Sequence, residues 1–128
     1  MTKIIVAQDA PVLVAIDIAK ARHEVLIAIP DKKRRRRLTV LNKLADFNRL
    51  VTALREYRRP VRVAFEATGN YHRALAYHLA TAGFEVKLVS SVALARTREA
   101  LNNSWDKNDP KDAQVILHMM EIGNEQYY

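Results

Sequence analysis

The hydrophobic period of this chain changes once, near Asn42, and that change limits the folds open to it. Before Asn42 the apolar residues come in three short runs separated by polar breaks. Val12 to Ile16 is rich in β-branched residues and ends at the charged Asp17; after Lys20-Ala21-Arg22, a second run extends from His23 to Ile29. Two antiparallel strands with a tight connection are predicted. Pro30-Asp31 is then a turn, and beyond the basic run Lys32 to Arg37, Leu38-Thr39-Val40 supplies the third strand of a meander. Past Asn42, Leu44, Phe47, Leu50, Val51 and Leu54 recur at spacings of three and four, as one face of a helix does. Asn42 or Asp46 is predicted to start that helix, and Arg59-Pro60 to end it.

The remainder alternates strand and helix. Val61 to Phe65 reads as a fourth strand that stops at Glu66, with Thr68-Gly69-Asn70 as the turn after it. A helix from about Tyr71 to Ala82 is closed by Gly83. Phe84 to Val89 is a fifth strand, Val92 to Leu101 a helix, Asn102 to Asn108 a polar loop carrying Trp105, and Pro110 to Glu121 a last helix. The predicted order is βββαβαβα with an extra C-terminal helix. It resembles a ribonuclease H-like (RuvC-like) domain, an α/β fold built on a mixed five-stranded sheet. At 128 residues the chain fits one such domain, without internal repeats.

Cysteine is absent, which excludes a disulfide framework and thiolate zinc sites. No apolar run approaches the roughly 20 residues needed to cross a bilayer, and Met1 to Pro11 lacks the charged-then-apolar order of a signal peptide. A soluble, cytoplasmic protein without a membrane partner is expected. With 21 lysines and arginines against 14 acidic residues, the net charge of +7 favours a polyanionic partner. Charge alone does not choose between DNA, RNA and anionic lipid.

Within this basic chain, the placement of certain acids carries the chemistry. Functional groups in an open mixed sheet gather outside the carboxyl ends of strands. Asp17 and Glu66 are each the first charged residue after an apolar strand, and if strands one and four are neighbours the two carboxylates come within a few ångströms. Two anions that close call for a proton or a cation between them. Magnesium, hard and oxygen-seeking, is the expected cation, with manganese as a substitute. Asp109 and Asp112 lie one helical turn apart on one face. Capping alone also accounts for that segment, since Asp109 fits an N-cap, Pro110 the first helical position and Asp112 the first turn. Asp17 taken singly likewise suits a turn or cap. Four carboxylates together suit a pair of ions acting on an in-line displacement at phosphorus.

Four stretches in order, Ala15-Ile16-Asp17-Ile18-Ala19-Lys20, Phe65-Glu66-Ala67-Thr68-Gly69-Asn70-Tyr71-His72, Gly83-Phe84-Glu85-Val86 and Lys107 to Ala113, resemble the N-terminal RuvC-like catalytic domain of the IS110-family transposases. The resemblance implies that Asp17, Glu66, Asp109 and Asp112 are the family's DEDD tetrad, both metal ligands and catalytic residues. Ala15 stands where glycine is usual and Asn108 where threonine is usual; neither change removes a ligand. The family's second domain carries an attacking serine, and Ser90, Ser91 and Ser104 match no such motif. An isolated domain or a truncated gene product is therefore expected. The resemblance further implies metal-dependent DNA strand cleavage and transfer in transposition, guided by a bridge RNA, in a homo-oligomer. The alternative is a nucleic-acid-binding or assembly module without activity of its own. An actin- or sugar-kinase-like ATPase is disfavoured, because Asp17-Ile18-Ala19-Lys20 lacks the glycine that admits nucleotide phosphates.

Six consecutive cations, Lys32, Lys33, Arg34, Arg35, Arg36 and Arg37, read either as a solvated mobile loop or as a hairpin tip that neutralises phosphates. They also fit a nuclear-targeting patch, which nothing else supports. Lys20, Arg96 and Arg98, with Arg73 and Lys87, are further candidates for a basic surface. Tyr71 and His72, beside Glu66, either touch substrate or merely begin a helix. Trp105 is expected to anchor its loop rather than stack on a base. His23, His78 and His118 lack metal-ligand spacing and read as structural.

Overall fold

The computed structural model describes residues 10–66, 69–104 (side chains through 101) and 112–123. Strands β1 (Val12–Asp17), β2 (Arg22–Ala28) and β3 (Arg36–Leu41) are followed by α1 (Leu44–Arg55), β4 (Val61–Glu66), α2 (Arg73–Thr81), β5 (Glu85–Val89), α3 (Ser91–Ser104) and α4 (Asp112–Glu121). The five strands form one sheet in the order β3-β2-β1-β4-β5. β1, β2 and β3 pair antiparallel, whereas β4 pairs parallel to both β1 and β5. Each parallel step requires the chain to cross back over the sheet, and α1 and α2 make those crossovers.

Both faces of the sheet are covered, which is why Val12 to Ile16 is continuously apolar rather than alternating. On one face Val14, Ile16, Val25, Ile27, Val63 and Phe65 pack under Phe47, Leu50 and Leu54 of α1 and Leu75 and Leu79 of α2. On the other, Ala15, Leu26, Ala64 and Val89 meet Leu94 of α3 and Val115, Ile116 and Met119 of α4. Ala15 and Ala64, paired across β1 and β4 and fully buried, give α4 a smooth floor of small side chains.

Local chemistry places most boundaries. Lys32 donates its backbone N–H to the Ile29 carbonyl at 3.1 Å, with Asp31 at φ 71°, so Pro30-Asp31 forms the predicted turn, of type II geometry. Gly83 at φ 99° closes α2: its N–H bonds the Ala80 carbonyl and the Phe84 N–H bonds that of Leu79, a complete Schellman motif. The start of α1 differs from expectation. Its N-cap is Lys43, without a side-chain cap, and Asp46 in the first turn reaches back to the Leu41 N–H at 2.6 Å. That bond, followed by Arg49 at 2.5 Å, holds the buried Asp46 carboxyl below the usual range and ties β3 to the helix. Three further boundaries move. Arg36 and Arg37 belong to β3 rather than to a loop, because they pair with Ile27 and Leu26. α2 starts at Arg73 rather than Tyr71, and α3 runs from Ser91 through Ser104, so residues 102–104 are helical and not loop. Trp105 lies outside the described residues. Among the described residues no helix is long and apolar enough to cross a membrane.

His23 is buried on the α1 side and accepts the Ala19 N–H at its Nδ1, 3.2 Å away, fastening the β1–β2 connection. Its pKa is lowered, chiefly by burial, with the Asn42 side chain opposing; His72, packed on Phe65 at 5.7 Å between ring centroids, is lowered by burial and by Arg73. A folded-state histidine pKa below the unfolded value means that stability is full above about pH 6.5 and falls as the pH drops through and below it. Two outcomes follow. The urea midpoint falls on going from about pH 7 to about pH 5, and His23→Gln, which keeps an acceptor for Ala19 but does not titrate, flattens that fall. Phe65→Ala, at a fully buried position, costs about 3–5 kcal/mol in urea unfolding.

Candidate nucleic-acid and metal site

The parallel register ends with Ile16 opposite Phe65, so the next residues, Asp17 and Glu66, leave neighbouring strands side by side. Side chains alternate along a strand. Asp17 therefore shares the face of Ala15, and Glu66 that of Ala64, which is the face covered by α3 and α4. Both acids are half-buried. The antiparallel register sets Glu24 directly across β2 from Asp17, with Thr39 of β3 donating to Glu24 Oε1 at 3.0 Å and Arg22 Nε 3.8 Å from Oε2.

Asp112 opens α4 and is bound by Arg98 of α3. Arg98 also acts on Asp17. The Asp17 carboxyl is pushed above the ordinary value first by burial, then by the charges of Glu24 and Glu66, and Arg98 partly offsets them. The cause is general: taking a carboxylate out of water beside two like charges disfavours its ionised form, and one nearby guanidinium restores part of it. Asp17, Glu24 and Glu66 thus form one electrostatic group at the carboxyl ends of β1 and β4, with Arg98 linking it to Asp112. Asp109 lies outside the described residues.

This donor set is all carboxylate oxygen, the chemistry a hard divalent ion takes, and magnesium commonly uses only one or two carboxylates with waters and phosphate completing its shell. Asp17 and Glu66 fit that pattern. Among the described residues no group of three or more histidine, cysteine, aspartate or glutamate side chains is gathered closely enough to hold a metal, and Asp112 is engaged by Arg98.

The basic run divides between environments. Lys32, Lys33 and Arg34 are exposed at the β2–β3 turn. Arg35 pairs with Glu121 of α4 at 2.5 Å, and Arg36 donates to the Tyr57 hydroxyl at 3.0 Å on the α1 side of the sheet. Arg37 faces the α4 side, across from Leu26. Lys20 is exposed in the β1–β2 connection, where its carbonyl accepts from Asn42 at 3.3 Å. Arg96 is exposed on α3 and lines, with Arg98, Val92 and Glu99, an open surface cavity of about 490 Å³. Tyr71 is exposed, His78 bonds Asn48 at 2.8 Å, and Ser90 is the buried cap of α3, accepting the Ala93 N–H at 3.1 Å. Sequence reasoning passed over Glu24, which the β1–β2 register sets opposite Asp17 with residues 18–23 between them. Only that register reveals it, as only helix docking reveals the pairing of Arg98 with Asp112.

No curated protein matches the chain. Among solved structures, the ethanolamine utilization protein EutJ from Carboxydothermus hydrogenoformans is similar at 16% identity and a TM-score of 0.38, over 69% of this chain and 40% of that one. This chain thus spans less than half of that protein's length, and so slight a likeness has no bearing on function. The sequence model of the DEDD transposase family of IS110 type, described as a transposase, matches residues 14–127 and so takes in every candidate acid. The chain belongs to the IS110-type DEDD transposase family.

Proposed function

We propose that this chain supplies the catalytic carboxylates of a transposase, acting in magnesium-dependent cleavage and transfer of DNA strands. The observation that carries this reading is the juxtaposition of Asp17 and Glu66 at the ends of adjacent parallel strands, on the sheet face reached by the helix that opens with Asp112. Asp17 and Glu66 would hold magnesium, with Asp109 and Asp112 completing the tetrad. Magnesium, when bound, supplies charge stabilisation at the attacking and leaving oxygens of a phosphodiester. The chain's own residues hold the strand in place, and Arg98 partly offsets the burial and the two like charges that raise the Asp17 pKa. Lys32 to Arg37, with Lys20, Arg96 and Arg98, offer cations to the phosphate backbone.

Family resemblance extends the proposal to an RNA guide, to a homo-oligomer and to the cytoplasm; the net charge of +7 is compatible with DNA and RNA alike. A second reading is a nucleic-acid-binding or assembly module that is inert alone. The specific observation in its favour is the ion pair between Arg98 and Asp112, which occupies one of the four acids.

The two readings separate when the chain is assayed for DNA nicking with magnesium and with manganese beside a binding measurement. Nicking that falls by roughly 100-fold or more in Asp17→Asn and Glu66→Gln is expected for the catalytic reading. Binding without nicking favours the module. Nicking undiminished in both variants rejects the catalytic assignment. Independently of activity, magnesium is expected to raise the thermal midpoint of the unaltered chain, as a ligand of the native state does, and to leave that of Asp17→Asn unmoved.

A further inference from the structure

Between β2, β3 and α4 lies a cavity of about 280 Å³, floored by Leu26 and Leu117 and walled by Arg37, His118 and Gln114. Its far end is closed by the ion pair between Arg35 and Glu121. Arg35 engages Glu121, the only acid among the described residues that line the cavity, so the charge those residues leave is positive. The Arg37 side chain makes no ion pair or hydrogen bond with the described residues and stands on the edge strand, where a ligand can reach it. A guanidinium fork is suited to two oxygens of a phosphate. His118, half-buried on α4, adds a ring N–H donor.

The cavity opens on the same face of the sheet as the acids. Arg37 pairs with Leu26 and Thr39 with Glu24, so the cavity is two residues down the strands from Asp17 and two strands over. At ~3.4 Å per residue and ~4.8 Å per strand spacing, that is about 12 Å. Stacked nucleotides rise about 3.4 Å each, so about 12 Å is three or four nucleotides of one strand. Beyond the Arg35–Glu121 pair a second cavity, of about 250 Å³, continues towards Lys32. The basic run therefore reaches two surfaces, because Arg36 lies on the opposite face and is bonded to Tyr57.

We propose that Arg37, His118 and Gln114 form a phosphate subsite that grips the backbone of a single nucleic-acid strand a few nucleotides from Asp17 and Glu66. The site rests on the nucleic-acid reading above and deepens it by assigning one face, and one cavity, to the strand. DNA and RNA present the same phosphodiester to these residues, and the experiment distinguishes them.

The test measures binding of a labelled single-stranded DNA oligonucleotide and of its RNA counterpart across a salt series, with the unaltered chain, Arg37→Gln, Arg36→Gln and His118→Gln. Arg37→Gln is expected to weaken binding about tenfold or more and to reduce the salt slope by about 0.7. Arg36→Gln, which removes the same charge from the opposite face, should cost clearly less. His118→Gln should also weaken binding, by less than Arg37→Gln does. In the unaltered chain, the His118 ring resonances should shift on adding the oligonucleotide. Preference for one of the two oligonucleotides names the strand; equal binding assigns the site to either. Equal losses in Arg37→Gln and Arg36→Gln, with His118 unmoved, overturn the subsite and leave the nucleic-acid reading standing. Failure of the unaltered chain to bind either oligonucleotide removes that reading and the subsite together.

Discussion

The parallel ladder between β1 and β4, Val12 against Val61 through Ile16 against Phe65, is the contact on which the site depends. A parallel pair cannot close through a tight turn, so it demands the α1 crossover, and a crossover helix is stable only if its apolar stripe is buried against the sheet. Phe47, Leu50 and Leu54 supply that stripe. With α1 and α2 on one face and α3 and α4 on the other, the last three residues before each strand's end, 14–16 and 63–65, are buried, and each strand then ends in a carboxylate. Removing the ladder would separate Asp17 from Glu66, whereas the β1–β2 hairpin by itself sets only Glu24 beside Asp17.

That arrangement is electrostatically costly, and the cost is local. Asp17 is disfavoured as an anion by burial and by two neighbouring glutamates in a chain that is cationic overall. Elsewhere in the fold an acid is placed differently. Asp46, which is buried, accepts a backbone N–H and an arginine, and its carboxyl is held below the usual range. The contrast is between a structural aspartate whose anion is hydrogen-bonded and paired and a strand-end aspartate whose anion is opposed by burial and like charge. Arg98 relieves part of the strain while also engaging Asp112, and so joins α3 to the acid group.

Elements whose specification is local were legible. The Pro30-Asp31 turn and the Gly83 closure of α2 each rest on a few adjacent residues and formed as read. Errors arose where a neighbour extended an element. Arg36 and Arg37 look like loop because charge rarely enters a strand, yet the ladder to Leu26 and Ile27 recruits them, and an edge strand tolerates charge on its open side. Residues 102–104 are weak helix formers, but adding residues to an existing helix costs far less than starting one, so α3 continues through them. Asn42 and Asp46 are both good caps on paper, and the helix uses neither as one because Asp46 is engaged with Leu41.

Hydrophobic period, turn chemistry and the order of the motifs were enough to assign an α/β sheet of five strands, with acids at the ends of its first and fourth, because these depend on near neighbours in sequence. Which acids share a face, that Glu24 joins them, that Arg98 engages Asp112, and that Arg36 and Arg37 serve opposite sides of the sheet depend on strand register and helix docking. Those are settled by burial and pairing between residues far apart along the chain, which no local window of sequence encodes.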